Sequence, residues 1–226
     1  MNPEEPTLLT HIDQLRAKVY PEGSGLSNII YAGTIRSEAD LKEGLLVHRR
    51  IVEEEVNSSE EEVHITGILM GQGTSVLHFL EGPCRSILNI LTELSHHTHF
   101  VEGIQSGRII YSVEDKPTRV YPEWYSTVIQ EKKSSIESID TESCKDVIHQ
   151  LAMGLFEVGV GIKREQKVDV ELAQYADKLP GKNLVILLAG ADEFFLLGEY
   201  VEMFATPFHI ELESERTWPQ EKMVSY

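Results

Sequence analysis

A glycine-punctuated apolar stretch at residues 64–83 constrains the fold of this chain more than any other feature. Residues 65–70 and 76–80 are short apolar runs, and Gly-Gln-Gly at 71–73 separates them. Apolar runs of this length bounded by glycine are more typical of strands than of helices. Because the runs are apolar on both faces, they predict the middle of a sheet rather than an edge. Pro83 then ends the second strand and can open a helix.

Charge and composition exclude several classes of protein. The net charge of −17 over 226 residues opposes binding to phosphate backbones and anionic membranes, so neither nucleic acid nor a membrane is an expected partner. No apolar run approaches the roughly 18 residues of a membrane span, and the N-terminus lacks a signal-peptide pattern. Cys84 and Cys144 stand far apart and outside any CxxC pair, which is typical of reduced cytosolic thiols. We therefore predict a cytoplasmic protein.

Apolar periodicity predicts the elements around the hairpin. We expect strands at residues 26–35, 103–112 and 120–130, and helices at residues 38–52 and 84–94. The acidic residues that follow the first helix, at 53–55 and 60–62, predict an exposed loop or a frayed helix end. The first six elements then match a ferredoxin-like sandwich, in which two helices cover one face of an antiparallel sheet. The predicted class is α+β.

The second half of the chain predicts an α/β extension. A polar, serine-rich segment at residues 131–141 marks a boundary and gives three parts. These are an N-terminal segment with a short helix (1–25), the ferredoxin-like domain (26–131) and the extension (132–226). In the extension we expect helices at residues 143–160, 168–179 and 191–205, and strands at residues 184–190 and 208–212. A strand, a helix and a strand in succession predict a βαβ unit with parallel strands.

Two motifs in the predicted sheet carry a resemblance to a known family. Ile-Thr-Gly at 65–67, an apolar strand and Phe-Leu-Glu-Gly at 79–82 resemble the signature of BLUF domains, the blue-light sensors that use FAD. The segment from Arg119 to Trp124 is similar to the family's Arg-x-aromatic-x-x-Trp. The resemblance covers about residues 26–130 and implies the ferredoxin-like fold with an added last strand. Pro122 in that strand predicts an edge position.

The resemblance implies a flavin contact set that this chain matches only in part. In the family, a tyrosine on the first strand and a glutamine on the third contact each other and the flavin ring. Light drives electron and proton transfer from the tyrosine, and the glutamine amide rearranges. Tyr31 matches the tyrosine, but His78 stands where the glutamine is expected. An imidazole donates and accepts hydrogen bonds, yet it has no carboxamide to rearrange.

The family's ring-anchoring asparagine is also replaced. Its position falls at Ile51 or Val52, and an aliphatic side chain there leaves the polar edge of the ring unpaired, at a cost of about 1–3 kcal/mol. Arg49 or Arg50 would substitute only after a small rotation of the helix. On the last strand Trp124 matches the family's tryptophan, whereas Ser126 stands in place of its methionine. The residues that would contact a bound flavin are therefore Tyr31, Arg50, His78 and Trp124.

A purely structural interpretation of the same residues is also open. Tyr31 and Trp124 are then core aromatics with local partners for their polar tips, and His78 is a buried neutral histidine. Glu81 lies at a strand-to-helix turn, where its carboxylate is favoured near a helix N-terminus. Under this interpretation the fold survives without its cofactor, and no flavin is expected.

The sequence contains other candidate residues, but none of them predicts a metal site or a catalytic nucleophile. The imidazoles of His96, His97 and His99 have no evident third partner, so a solvated surface is expected rather than a metal site. Cys84 follows a proline at a helix start, but no base accompanies it, so it is not a predicted nucleophile. No Gly-x-Ser-x-Gly motif is present. We predict no catalytic residues and no enzyme.

The expected function is that of a non-enzymatic interaction or structural module with a degenerate BLUF-like domain. The combination is similar to a testis-expressed animal family that bears such a domain, which implies a reproductive setting and a cilium or flagellum as a location. The partners are expected to be proteins, and a homodimer is implied because BLUF proteins often pair through the sheet face. The alternative, which Tyr31 and Trp124 motivate, is an FAD-binding blue-light or redox sensor.

Overall fold

A five-stranded sheet lies at the centre of the computed structural model, which describes residues 25–58, 64–97, 104–129, 141–165, 175 and 178–205. The strands are β1 (Leu26–Ile35), β2 (Thr66–Gln72), β3 (Ser75–Pro83), β4 (Ile104–Lys116) and β5 (Trp124–Val128). The helices are α1 (Leu41–Ser58), α2 (Cys84–His97), α3 (Thr141–Glu165), α4 (Lys182–Gly190) and α5 (Leu197–Ala205), with a 3₁₀ turn at Glu38–Asp40 ahead of α1.

The strand order confirms the predicted α+β, ferredoxin-like class. The sheet runs β4-β1-β3-β2-β5, with β1 antiparallel to β3 and β4 and with β2 antiparallel to β3. The first four strands and the two helices between them make the βαββαβ arrangement expected from the sequence. The added strand β5 lies at the edge and pairs in parallel with β2. Pro122 precedes this edge strand, so its missing N–H disturbs no ladder.

The β2–β3 hairpin forms the middle of the sheet, as predicted. β2 is buried along its whole length, and β3 lies between β1 and β2. The turn falls at Gly73-Thr74, where Gly73 adopts a φ of 60°. Gly67 has a φ of 136°, and a side-chain Cβ there would lie 2.0 Å from the carbonyl oxygen of Phe79. Only glycine therefore lets β2 approach β3 this closely.

Helices cover both faces of the sheet. Alternating residues of the central strands, such as Ile29, Tyr31 and Leu80, pack with α1 and α2. The residues between them, such as Ile30 and Phe79, pack with α3 and α4. The molecule therefore has three layers, helices, sheet and helices. The resemblance implied a homodimer that pairs through the sheet face. In this chain α3 and α4 pack on the face opposite α1 and α2, and the homodimer stays a prediction.

The described part of the C-terminal segment is helical, so the predicted βαβ unit is wrong. Residues 184–190, predicted as a buried strand, lie in α4. Its buried side chains, Leu184, Val185, Leu188 and Ala189, follow the spacing of a helix that rests one face on the sheet. A short apolar run does not by itself distinguish a buried strand from a buried helix. The helix predicted at 191–205 is confined to α5, and residues 208–212 lie outside the described residues.

Other boundaries are confirmed or extended. The helix predicted at 143–160 is α3, and the first helix continues through the acidic residues 53–55 to Ser58. The segment 1–24, most of 168–179 and the boundary at 131/132 lie outside the described residues, so the division into three parts stays a prediction. No helix in the described part of the chain is both long and apolar enough to cross a membrane.

Candidate functional site

Three of the four predicted site residues meet on the sheet face that α1 and α2 cover. Tyr31 on β1 and His78 on β3 are direct cross-strand partners, so their side chains leave the sheet side by side. Trp124 begins β5 opposite Gly67 of β2. Its indole reaches across β2 to His78 on the next strand. Sheet register therefore brings together residues that are up to 93 positions apart (124 − 31).

Both nitrogens of the His78 imidazole have partners. The Trp124 indole nitrogen lies 2.9 Å from His78 Nε2, and His78 Nδ1 lies 3.0 Å from the Tyr31 phenol oxygen. An indole N–H can only donate, so Nε2 must be the unprotonated nitrogen. The proton of a neutral imidazole then sits on Nδ1 and is donated to Tyr31. These two bonds fix one tautomer of His78 in the Tyr31–His78–Trp124 cluster.

His48 on α1 is a fourth member that the sequence interpretation missed. It is buried, and its Nδ1 donates to the Gly44 carbonyl oxygen at 2.7 Å. Its ring centroid lies 6.0 Å from that of Tyr31 and 5.8 Å from that of His78. The helical spacing of the sequence could have revealed that His48 is buried, because it lies on the same face of α1 as Leu45 and Val52.

Burial keeps the cluster neutral. Tyr31 and His78 are fully buried, which raises the pKa of Tyr31 and lowers the pKa of His78, and the neighbouring His48 lowers the latter further. Protonation of His78 would place a hydrogen on Nε2 and remove the acceptor that Trp124 uses. At neutral pH Tyr31 and His78 are therefore uncharged, and hydrogen bonds link them to each other and to Trp124.

Arg50 does not join these residues. It lies on the exposed side of α1, and its neighbour Arg49 pairs instead with Glu53 at 2.7 Å. The two positions aligned with the family's asparagine, Ile51 and Val52, are buried in the apolar cluster that also contains Tyr31. The guanidinium of Arg50 is therefore absent from the predicted site. The side chains of Ile51 and Val52 occupy the position of the family's asparagine.

These residues do not match the needs of a flavin ring. Ile51 and Val52 offer no hydrogen bond to its polar edge, and both nitrogens of His78 are already committed to Tyr31 and Trp124. An open cleft of about 360 Å³ lies between α1 and α2, lined by Ile51, Glu54, Glu55, Ser58, Asn89, Ile90, Thr92 and Glu93. Its carboxylates oppose the anionic phosphates of FAD. Tyr31, His78 and Trp124 do not line it.

Glu81 of the Leu-Glu-Gly triplet has a structural role different from the predicted one. Its buried carboxylate accepts bonds from the Thr66 hydroxyl at 2.7 Å and from the Val120 N–H at 2.9 Å. The Tyr121 N–H adds a third at 3.2 Å. The carboxylate therefore binds the segment ahead of β5, not the N-terminus of α2. Arg119 Nη1 lies 3.3 Å from the Glu81 carbonyl oxygen, so the start of the second motif lies against Glu81 of the first.

The remaining candidates are the histidines at 96, 97 and 99 and the two cysteines. Within the described ranges, no group of three or more His, Cys, Asp or Glu side chains could hold a metal ion. His99 and the side chain of His97 lie outside the described residues. Neither Cys84 nor Cys144, both of which the structure describes, is part of a disulfide bond.

Comparison with known proteins identifies the family. A family model described as testis-expressed protein 47 matches residues 25–206, most of the chain. The chain belongs to the testis-expressed protein 47 family. Its match begins at β1 and ends just after α5, so in this family the BLUF-like sheet and the C-terminal helices are matched together. The predicted resemblance to a testis-expressed family is confirmed.

Solved structures similar to this member of the testis-expressed protein 47 family include BLUF proteins. BlrB in its dark state is 18% identical, with a TM-score of 0.37, over 48% of this chain and 74% of BlrB. The BLUF domain of BlrP1 is 19% identical, with a TM-score of 0.34, over 47% and 65%. A bacterial light-regulated adenylyl cyclase is 13% identical, with a TM-score of 0.36, over 73% of this chain and 39% of the cyclase.

Proposed function

We propose that this chain is a non-enzymatic, BLUF-like protein-interaction or structural module that binds no flavin and has no photochemistry. The observation that carries the proposal is the fixed tautomer of His78, which donates to Tyr31 and accepts from Trp124. Every hydrogen-bonding group of the imidazole is thereby used within the protein.

The direction of the His78–Tyr31 bond argues against the family's light reaction. That reaction requires the tyrosine to give up a proton and a neighbouring amide to rearrange. Here the Nδ1 proton of His78 points at Tyr31, so the imidazole is a donor where an acceptor is needed. Taking a proton on the other nitrogen would break the bond from Trp124. The hydrogen bonds among Tyr31, His78 and Trp124 therefore stabilise the core and do not support photochemistry.

The same burial supports a role outside catalysis. A catalytic group must reach its substrate, but Tyr31, His78 and Glu81 are all 0% exposed. Glu81 is further committed to hydrogen bonds that hold the chain ahead of β5. The most reactive residue types of the domain thus serve its fold.

The cellular setting is proposed from the family. The description of the family names the testis, so we place the protein in male germ cells, in the cytoplasm, with the flagellum as the structure in which to look first. Its acidic charge favours basic protein partners. Immunofluorescence on testis sections tests this location, and signal confined to other cell types would contradict it.

The alternative is an FAD-binding blue-light or redox sensor, which the retained 3.0 Å contact between Tyr31 and His78 favours. An absorbance scan of the purified full-length protein, after incubation with excess FAD and gel filtration, separates the two functions. We expect a colourless protein. His78→Gln restores the amide alone and is also expected to stay colourless, because Ile51 and Val52 still fill the ring-anchoring position. Oxidised-flavin bands in the wild-type protein would overturn the proposal.

A further inference from the structure

An exposed apolar surface with acidic neighbours lies along α5 and the turn that precedes it, far from the Tyr31–His78–Trp124 cluster in sequence. Four large apolar side chains are exposed here, with exposed fractions of 52% for Phe195, 39% for Leu196, 41% for Met203 and 40% for Phe204. The carboxylates of Asp192, Glu193, Glu199 and Glu202 share an open cleft of about 450 Å³ with Phe194, Phe195 and Met203. We call these four apolar and four acidic residues the α5 patch.

The segment ahead of α5 is hydrogen-bonded to β4, the edge strand of the sheet. The backbone N–H of Ile109 on β4 donates to the Phe195 carbonyl oxygen at 2.9 Å. Arg108, whose side chain is only 14% exposed, donates to the Phe194 carbonyl oxygen and to the Asp192 carboxylate, both at 2.6 Å. The backbone of Phe195 is therefore hydrogen-bonded to β4, while its side chain is exposed to solvent.

The helix that follows is equally well anchored. α5 buries Leu197 and Tyr200 in the same cluster as α2. The Tyr200 hydroxyl lies 2.7 Å from that of Ser112 on β4, and the Glu199 carboxylate accepts the Leu196 N–H at 2.8 Å at the helix start. Because the inner face of α5 is already packed against the protein, the exposed side chain of Met203 is not required to hold the helix in place. Neighbouring exposed apolar groups of this kind mark interaction sites.

We propose that the α5 patch docks an amphipathic helical segment of a partner protein, with apolar side chains on one face and flanking lysines or arginines. This inference rests on the proposed function and gives it a surface. Phe195 and Met203 supply aromatic and flexible apolar contacts of the kind that serve as anchors in helix-in-groove recognition. The surrounding carboxylates orient the basic flanks of the partner.

Net charge distinguishes between the molecules that could bind to the α5 patch. A second copy of this chain carries a net charge of −17, so it would meet an acidic surface with another acidic molecule. Residues 206–226 of the same chain contain four glutamates against Arg216 and Lys222, so they too are acidic overall. Arg108 forms an ion pair with Asp192, whose side chain is 95% exposed. A basic partner segment is therefore the occupant that the surface favours.

The test measures binding of a defined probe to the full-length protein by fluorescence anisotropy. The probe is a fluorescein-labelled leucine–lysine amphipathic peptide of about 18 residues, roughly five helical turns. Its matched control is the same peptide with glutamate in place of lysine. We expect the lysine peptide alone to bind. Phe195→Ser should weaken its binding roughly 10- to 30-fold, as for a central aromatic anchor, and Met203→Ser should weaken it as well.

Matched variants outside the patch separate docking from general attraction to an acidic protein. Leu46→Ser removes an apolar side chain that is 60% exposed on α1, and Glu54→Lys reverses a charge at the α1–α2 cleft. Both should leave the affinity unchanged, whereas Glu193→Lys should weaken it. Melting curves establish that each variant is folded.

Three results would overturn the inference. These are unchanged affinity in folded Phe195→Ser, an equal loss in Glu54→Lys, and a dimer that Phe195→Ser dissociates on gel filtration, which would make a second copy the occupant. A colourless protein that fails to bind the peptide overturns this inference alone. A flavin-loaded protein that binds it overturns the proposed function alone.

Discussion

At the scale of single residues, His78 decides what the Tyr31–His78–Trp124 cluster can do. A glutamine at this position could accept from Trp124 through its carbonyl and donate to Tyr31 through its amide, which is the same pair of bonds that the imidazole makes. The imidazole differs in two respects: its two nitrogens cannot exchange roles by rotation of an amide, and it can titrate. The replacement therefore preserves packing while changing the chemistry.

The first prediction concerns pH. Burial and His48 lower the pKa of His78 in the folded protein, whereas the unfolded chain titrates near the ordinary value of about 6.5. Below that pH the unfolded chain takes up a proton that the folded protein does not bind, so stability is full above about pH 6.5 and is lost as the pH falls. The loss from this one group is at most about 1.4 kcal/mol per pH unit.

Urea denaturation of the wild-type protein and His78→Gln at pH 7.5, 6 and 5 measures this effect. The variant should match the wild-type free energy of unfolding at the highest pH to within about 1 kcal/mol, because its amide satisfies both partners. It should lose less stability on acidification. Parallel pH dependences would show that His78 is not the titrating group.

At the scale of elements, Glu81 explains why the second motif accompanies the first. The carboxylate projects from β3 and binds the backbone N–H groups of Val120 and Tyr121, which lie just ahead of β5. β5 is short and pairs with β2 alone, so its position depends on how the preceding segment is held. The Leu-Glu-Gly triplet is therefore a contact between distant parts of the chain.

The second prediction follows from this network. Glu81→Gln removes the charge and replaces one acceptor with an amide donor that faces backbone N–H groups. We expect a loss of about 2 kcal/mol in the free energy of unfolding, since hydrogen bonds to a charged group are the stronger ones. Glu123→Gln, an exposed neighbour of β5, should change it by less than about 0.5 kcal/mol. Urea denaturation measures both, and equal values would contradict the role given to Glu81.

The element that sequence reasoning misassigned shows where local pattern stops being informative. Residues 184–190 are almost uniformly apolar, and such a run suits either a strand inside a sheet or a helix resting on one. The run became α4 where the second face of the sheet requires cover. Helix α1 ran past its predicted end for a related reason. Its acidic residues extend along the solvent side, so they do not interrupt packing.

At the scale of the whole molecule, the C-terminal helices are part of the sheet's core. Leu155 of α3 and Leu188 of α4 are fully buried in the cluster that contains Phe79 and Ile30 of the central strands. The Tyr121 hydroxyl donates to the Leu155 carbonyl oxygen at 2.7 Å, which joins α3 to the segment ahead of β5. Because α3 and α4 share this buried cluster with the central strands, we expect the described residues to unfold as one cooperative unit.

The third prediction tests that cooperativity. Leu155→Ala opens a cavity on one side of the sheet, and Leu80→Ala opens one on the side of α1 and α2. Each should cost about 2–5 kcal/mol. If the layers unfold together, both variants shift one shared transition that is monitored by circular dichroism and by tryptophan fluorescence. A Leu155→Ala variant with two separate transitions would instead support an independent unit beyond residue 131.

The sequence by itself determined the elements whose identity depends on neighbouring residues. The glycine-bounded apolar runs specified the β2–β3 hairpin, periodicity specified α1, α2 and α3, and the motifs identified Tyr31, His78 and Trp124. The tertiary structure decided the rest: the helical state of α4, the entry of His48 into the cluster, the bond from Glu81 to Val120 and the exposure of Phe195. Each of these depends on which distant segment packs against a residue, and that follows from the assembled sheet and its two covered faces rather than from local pattern.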